Sequence, residues 1–276
     1  MRPQQKEMMI MVTKTLPKEH LSYSQVNMFL RCPKQYYYRY LEGLVMPPSG
    51  SLVLGSSGHK SLEHNYSQKI DTKKDLKAKE VLEYFDATFE EQAKEDVDWG
   101  DKKKGDYKDA GARTLKKYQK DYAPAIQPEA VEQEFNIELE NADYTLKGYI
   151  DLITEGGDIV DHKISGRKPS NIDDKQLTVY RLAYKELNGF PPEKVRFDYL
   201  VTKKSPEIIP FEMDITDEDE QELLELIGDV SEAIKSGIFY RRTDGWMCNP
   251  KYCGYYYKCR PHKEQSFYDF TREVSD

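Results

Sequence analysis

Apolar residues recur along this chain with two different periods, and the switch between them lays out its elements. Met1 to Glu19 is polar, rich in Met and without a period, so residues 1–20 are expected to form a mobile leader. Leu21-Ser22-Tyr23-Ser24 offers an N-cap serine to a helix reaching about Tyr40, with a kink expected at Pro33. After the break Pro47-Pro48-Ser49-Gly50, a helix is expected to begin near Gly58. Helical spacing from about Asp75 to Ala93 and from Lys108 to Tyr122, around a charged loop at Asp98 to Gly105, predicts a helical insertion over about 60–125. Period two then takes over in Val131 to Glu140, Tyr144 to Thr154 and Asp158 to Ile164. A helix over Asp173 to Leu187 follows, then strands at Val195 to Thr202 and around Glu207 to Met213. A last helix, Thr216 to Lys235, is capped by Thr216 and followed by Gly237. The succession predicts an α/β fold: one domain over 21–276, with a core at about 131–215 and a C-terminal helix plus cysteine cluster at 216–262.

Composition narrows the class only modestly. With 276 residues, 38% of them hydrophobic, the chain can bury a core as one domain with a helical insertion, or as a large and a small lobe. No apolar run approaches the roughly 20 residues of a membrane span, so a soluble, cytoplasmic protein is expected. A net charge of −8 and a pI near 5.4 argue at first sight against a nucleic-acid partner. Local basic surface matters more than the sum, however. Lys102, Lys103, Lys104, Lys108, Arg113, Lys116, Lys117 and Lys120 read most simply as a solvated helix face and its loop, whereas Lys163, Arg167, Lys168 and Lys175 suit phosphate contacts. Phe29, Tyr36, Tyr37, Tyr38 and Tyr40 fit core and rim packing better than base stacking.

The chemistry concentrates in Gly148-Tyr149-Ile150-Asp151 and Ile159-Val160-Asp161-His162-Lys163, joined by the turn Thr154-Glu155-Gly156-Gly157-Asp158. A β-hairpin there brings Asp151 and Asp161 toward one end of the sheet, where two hard carboxylates can hold a divalent metal beside Lys163. Taken alone, the pair also fits two solvated strand-end carboxylates. The surrounding order decides between them: Gly55-Ser56-Ser57-Gly58-His59 stands upstream at the opening of a helix, and Gln176-Leu177-Thr178-Val179-Tyr180 downstream on another.

This succession of GxxxH, G-x-I-D, D-x-K and Q-x-x-x-Y resembles the RecB-like branch of the PD-(D/E)XK nucleases, from about Leu21 to Cys259. The resemblance implies a restriction-endonuclease-like core, a mixed central sheet flanked by helices. It implies Mg²⁺ or Mn²⁺ held by Asp151, Asp161 and His59, with the main-chain carbonyl of His162 a further oxygen ligand. The His162 side chain is expected on the opposite face of its strand. Lys163 would position the attacking water and stabilise developing phosphorane charge, while Gln176 and Tyr180, sharing one helix face, line the site and order the lysine. Glu134 fits an outer acidic role less well than a plain exposed strand position. The implied activity is a DNA exonuclease or end-processing nuclease of recombination, repair or CRISPR adaptation. Its substrate would be single-stranded or frayed DNA. The chain has no G-x-x-x-x-G-K-[ST] motor motif, and a helicase or other assembly partner is compatible. A non-catalytic nucleic-acid-binding or assembly module on the same fold is the alternative.

The four cysteines stand as one distant residue, Cys32, and a C-terminal trio, Cys248, Cys253 and Cys259, spaced C-x4-C-x5-C. This arrangement looks like the [4Fe-4S] staple of the AddB-type and CRISPR-associated members, which more often show C-x2-C-x5-C. Four thiolates also suit a structural zinc, and the count alone would allow two disulfides, although no signal peptide precedes His20. With either metal the site would be a structural link between distant parts of the chain.

Overall fold

The computed structural model describes residues 16–139, 142 and 144–260, so residues 1–15 of the expected leader lie outside the described residues. In chain order the elements are β1 (His20–Leu21), α1 (Tyr23–Arg31), α2 (Pro33–Tyr36), a π-turn (Tyr37–Leu41), α3 (Gly50–Thr72), α4 (Ala78–Gln92) and α5 (Lys104–Asp121). There follow β2 (Pro128–Glu138), β3 (Thr145–Thr154), β4 (Ile159–Ser165), α6 (Lys175–Asn188), β5 (Val195–Val201), β6 (Glu207–Met213), α7 (Asp217–Lys235) and α8 (Tyr256–Cys259). This is a mixed α/β fold in which helices accompany a mixed sheet.

The described residues form two compact units, one of residues 47–135 and 149–220, the other of the described residues among 16–46, 136–148 and 221–260. In the first, β3 turns back on β4 as an antiparallel hairpin, with Leu152 opposite Val160 and Ile153 opposite Ile159. The turn closes through Thr154, whose N–H donates to Asp158 O at 2.9 Å, and through Gly157, whose φ of +80° suits glycine. β4 runs parallel to β5, from Ile159 opposite Val195 to Ser165 opposite Val201, and β5 pairs antiparallel with β6.

The helical insertion is part of the core of this unit. Leu62 and Tyr66 of α3, Phe85 and Phe89 of α4, and Leu115 and Tyr118 of α5 are buried in one cluster with Leu152, Val160 and Leu200 of the sheet. Behind β4 a buried polar chain crosses this apolar layer: Tyr66 Oη lies 2.8 Å from Tyr118 Oη, which lies 2.7 Å from His162 Nε2. Burial pushes the His162 imidazole down to about 4, so it is a neutral hydrogen-bonding ring.

In the second unit β1 pairs parallel with the start of β3, His20 opposite Thr145 and Leu21 opposite Leu146. Phe29 meets Tyr36 edge-on at 5.6 Å, and Tyr36 stacks on Phe239 at 6.3 Å, so these aromatics pack on one another. Tyr38, Cys253 and Tyr255 form a smaller buried cluster, with the Tyr255 hydroxyl donating to Leu44 O at 2.7 Å.

Three elements depart from the sequence expectation. Pro33 ends a helix instead of kinking it: Cys32, the residue before proline, is driven to extended φ −165° and ψ 108°, and α2 restarts with Pro33 in its first turn. α3 begins at Gly50, well before Gly58, because Ser49 accepts the Leu52 N–H and caps the helix there. Finally, β1 begins at His20, the last residue of the stretch expected to be leader. Elsewhere the expected elements and those observed differ by a few residues at their ends.

Tyr118→Phe would leave Tyr66 Oη and His162 Nε2 without their shared partner inside the core. Urea unfolding is expected to show a loss of about 1–3 kcal/mol.

Candidate active site

The β3–β4 register, carried one residue past Leu152 and Val160, sets Asp151 opposite Asp161. Asp161 is wholly buried and Asp151 partly so. Burial and the neighbouring Asp151 charge raise Asp161 to about 7. Burial acts on Asp151 in the same sense, but its hydrogen bond with His59 and the charges of His59 and Lys163 outweigh it and hold Asp151 below its usual range.

His59 reaches this pair from α3, its Nδ1 3.3 Å from Asp151 Oδ2. Burial favours the neutral ring, yet hydrogen bonding and charge from Asp151 raise its pKa above the ordinary value. The approach is tight at Gly58: a Cβ there would stand 2.1 Å from Ile164 Cδ1, so any larger residue would force the Ile164 side chain to move. Gly55, which opens the GxxxH motif, has nothing within 4 Å of an added Cβ.

Lys163 projects on the same side of β4 as Asp161. Its Nζ is 2.7 Å from Asp161 Oδ2 and 2.7 Å from Gln176 Oε1. Gln176 Nε2 donates to Tyr180 Oη at 2.9 Å, and Tyr180 reaches Asp151 Oδ1 at 3.5 Å. A connected circuit of side chains therefore runs from His59 through Asp151, Tyr180, Gln176 and Lys163 to Asp161. Gln176 and Tyr180 can enter it together because they lie one turn apart on α6.

His162 divides its groups between two faces. Its main-chain N–H donates to Asp151 Oδ2 at 3.3 Å, while its imidazole is bonded to Tyr118 in the core. The four cysteines lie in the other unit and contribute nothing to this circuit.

Glu132 is the residue that sequence reading passes over. It has φ +48° within β2, and the in–out alternation that is regular from Glu134 to Glu138 is lost from Ala130 to Gln133. The bulge places Glu132 within the field of Asp151, Glu63 and His59; burial first, then Asp151, raise it to about 7. Glu134 is exposed and receives the Tyr149 hydroxyl at 3.3 Å. Since left-handed backbone at a glutamate leaves no mark in the sequence, parity alone could not choose between Glu132 and Glu134.

The donors suit a hard divalent cation. Two adjacent carboxylates and an imidazole are on hand, and the buried Asp161 Oδ2 receives no aligned hydrogen bond despite its ion-pair distance from Lys163. Among the described residues no three His, Cys, Asp or Glu side chains already converge on one cation position. The fit therefore rests on the chemistry of the donors.

Thermal unfolding of the protein titrated with Mn²⁺ checks these placements. Gly58→Ala and Glu132→Gln are expected to weaken Mn²⁺ stabilisation roughly 10–100-fold in apparent affinity, with Gly55→Ala and Glu134→Gln close to the parent protein.

Similarities to other proteins follow the same geometry. A solved structure from Eubacterium rectale, described as a "putative exonuclease", superposes with a TM-score of 0.56 at 15% identity, covering 93% of this chain and 91% of that one. At that identity the likeness speaks to fold alone. The structure of SSO0001 matches at a TM-score of 0.42 and 16% identity over 93% of both chains, too loosely to carry an argument. No curated protein matches the sequence. The model of the PD-(D/E)XK nuclease superfamily matches residues 20–260, a span that includes every residue of the circuit, and the chain belongs to that superfamily.

Proposed function

We propose that this protein is a metal-dependent DNA nuclease that trims single-stranded or frayed ends, as an exonuclease or end-processing enzyme. One observation carries the reading: Lys163 is held between Asp161 and Gln176 while Asp151, opposite Asp161, is tied to His59 and Tyr180. Asp151, Asp161 and His59 would hold Mg²⁺ or Mn²⁺, with the His162 carbonyl as an additional oxygen. Such a cation supplies Lewis acidity and an acidified water at neutral pH. Lys163 presents a positive charge and a proton donor to the phosphoryl oxygens as their charge grows. Gln176 fixes the lysine through its amide oxygen, and Tyr180 links that amide to Asp151, so the lysine and the carboxylates stay aligned. Recombination, repair or CRISPR-adaptation processing, with a helicase or similar partner supplying the ends, is the setting that suits a nuclease domain of this type.

The cysteines support a structural [4Fe-4S] cluster in this reading. Cys32, Cys248, Cys253 and Cys259 are free thiols bordering a single cavity, together with the cationic Arg31, Lys34, Arg241, Arg242 and Arg260. Three of the sulfurs already have donors: Gln35 Nε2 on Cys253 at 3.1 Å, Arg260 Nη2 on Cys248 at 3.3 Å, and the Tyr38 hydroxyl on Cys259. Such donors and cations suit an anionic thiolate-bound cluster. Unpaired thiols also suit a reducing compartment such as the cytoplasm. Among the described residues no helix is long and apolar enough to cross a membrane.

The test is digestion of end-labelled single- and double-stranded DNA with Mg²⁺ or Mn²⁺ by anaerobically purified protein. Lys163→Ala and Asp151→Ala are expected to lower the rate by roughly 10²–10³-fold or more, and Gln176→Ala by roughly 10–100-fold with cation binding retained. The protein is expected to be brown with bound iron and sulfide; colourless protein with stoichiometric zinc would replace the cluster by a zinc site. Absence of cleavage from metal-replete wild type on every substrate would instead favour a nucleic-acid-binding module.

A further inference from the structure

Immediately beyond the D-x-K residues, the same strand opens into a second cleft. It is walled by Ile164, Ser165 and Arg167 at the end of β4, by Leu54 of α3, and by Lys102 and Tyr107 at the start of α5. Its volume of about 340 Å³ is that of a pocket for one small ligand. Ser165 follows Lys163 by two strand positions, about 7 Å along β4, so the cleft begins within about one nucleotide of the circuit.

Part of the basic surface around this cleft is already neutralised. Lys104 and Lys108 are neutralised by Glu90 and Asp86 on α4. Lys102 and Arg167, by contrast, are exposed and have no ion-pair partner among the described residues. Asp106 also borders the cleft, but its carboxylate accepts the Lys103 N–H at 2.9 Å and is committed to capping α5.

Tyr107 supplies a fixed aromatic wall. A Cβ on Gly50 would lie 2.6 Å from its Cε2, its hydroxyl donates to Trp99 O at 3.4 Å, and Lys102 Nζ stands 5.2 Å from its ring centre. The Lys102 ammonium lies over the ring, so a base that stacks on Tyr107 takes its place and frees the ammonium for the adjoining phosphate.

We propose that this cleft binds the nucleotide of a single DNA strand that flanks the scissile phosphate, Lys102 and Arg167 taking its phosphate and Tyr107 its base. The proposal rests on the nuclease reading and names the strand path for it. It makes the enzyme select an unpaired nucleotide beside the cut, since a base already paired and stacked in a duplex cannot stack on Tyr107.

Binding of fluorescein-labelled single-stranded oligonucleotides, read by anisotropy with full-length Lys163→Ala protein in Ca²⁺, tests it, alongside cleavage by the corresponding active proteins. Lys102→Gln with Arg167→Gln is expected to weaken binding at least tenfold and to flatten its salt dependence by about two phosphate contacts. The same charge removed at exposed Lys116 and Lys120 of α5 is expected to change binding by less than twofold. An abasic site scanned along the oligonucleotide should weaken binding about tenfold at one position, and Tyr107→Leu should erase that position's effect. Equal losses from the cleft and control pairs, or an abasic profile unchanged by Tyr107→Leu, would overturn the cleft while leaving a cutting enzyme in place. Wild type that neither cuts nor binds DNA would overturn the nuclease reading and the cleft with it.

Discussion

The face-to-face placement of Asp151 and Asp161 is the constraint around which the larger unit is organised. Burial first, and then the opposed Asp151 charge, raise Asp161 to about 7. The surrounding groups offset this. Lys163 stands against Asp161, His59 against Asp151, and Gln176 and Tyr180 connect the two pairs. Each of the six side chains is fixed by another of the six, so the arrangement is oriented before any ligand arrives.

The two sides of β4 show how a fold can build such a site without losing its core. Asp161 and Lys163 face the circuit, while Val160 and His162 face the helices. His162 would be an expensive group to bury, and Tyr118 and Tyr66 satisfy it in a chain of hydrogen bonds within the apolar layer. Gly58 then brings α3 close enough for His59 to cross to the carboxylates. The three helices and β4 thus pack as one body, and α3 supplies the imidazole.

The smaller unit follows a different logic. Its apolar contacts are largely aromatic, and its cysteines, brought from opposite ends of the sequence, surround a cavity rich in cations. Burial pushes the Cys253 and Cys259 thiols up, so metal loading would have to displace their protons. Met46 packs so closely on Gly254 that a Cβ there would come within 2.4 Å of its Cε, which leaves the turn between the last two cysteines no room for a side chain.

By itself the sequence determined most of the order and type of the elements, the hairpin, and the six residues that the circuit draws on, but not Glu132 beside it. Period-two runs, a Gly-Gly turn and i,i+4 spacing are local properties that tertiary context did not override here. Which glycine of the motif is closely packed was decided only in three dimensions, because Gly58, unlike Gly55, lies against a side chain more than a hundred residues away, Ile164. The tertiary structure likewise set Glu132 rather than Glu134 beside the carboxylates through a left-handed backbone position, and supplied Tyr118 as the partner of the His162 ring, whose face strand alternation had already indicated. Such choices depend on close approach between segments distant in sequence, and a periodic pattern records only which face of its own segment a residue occupies.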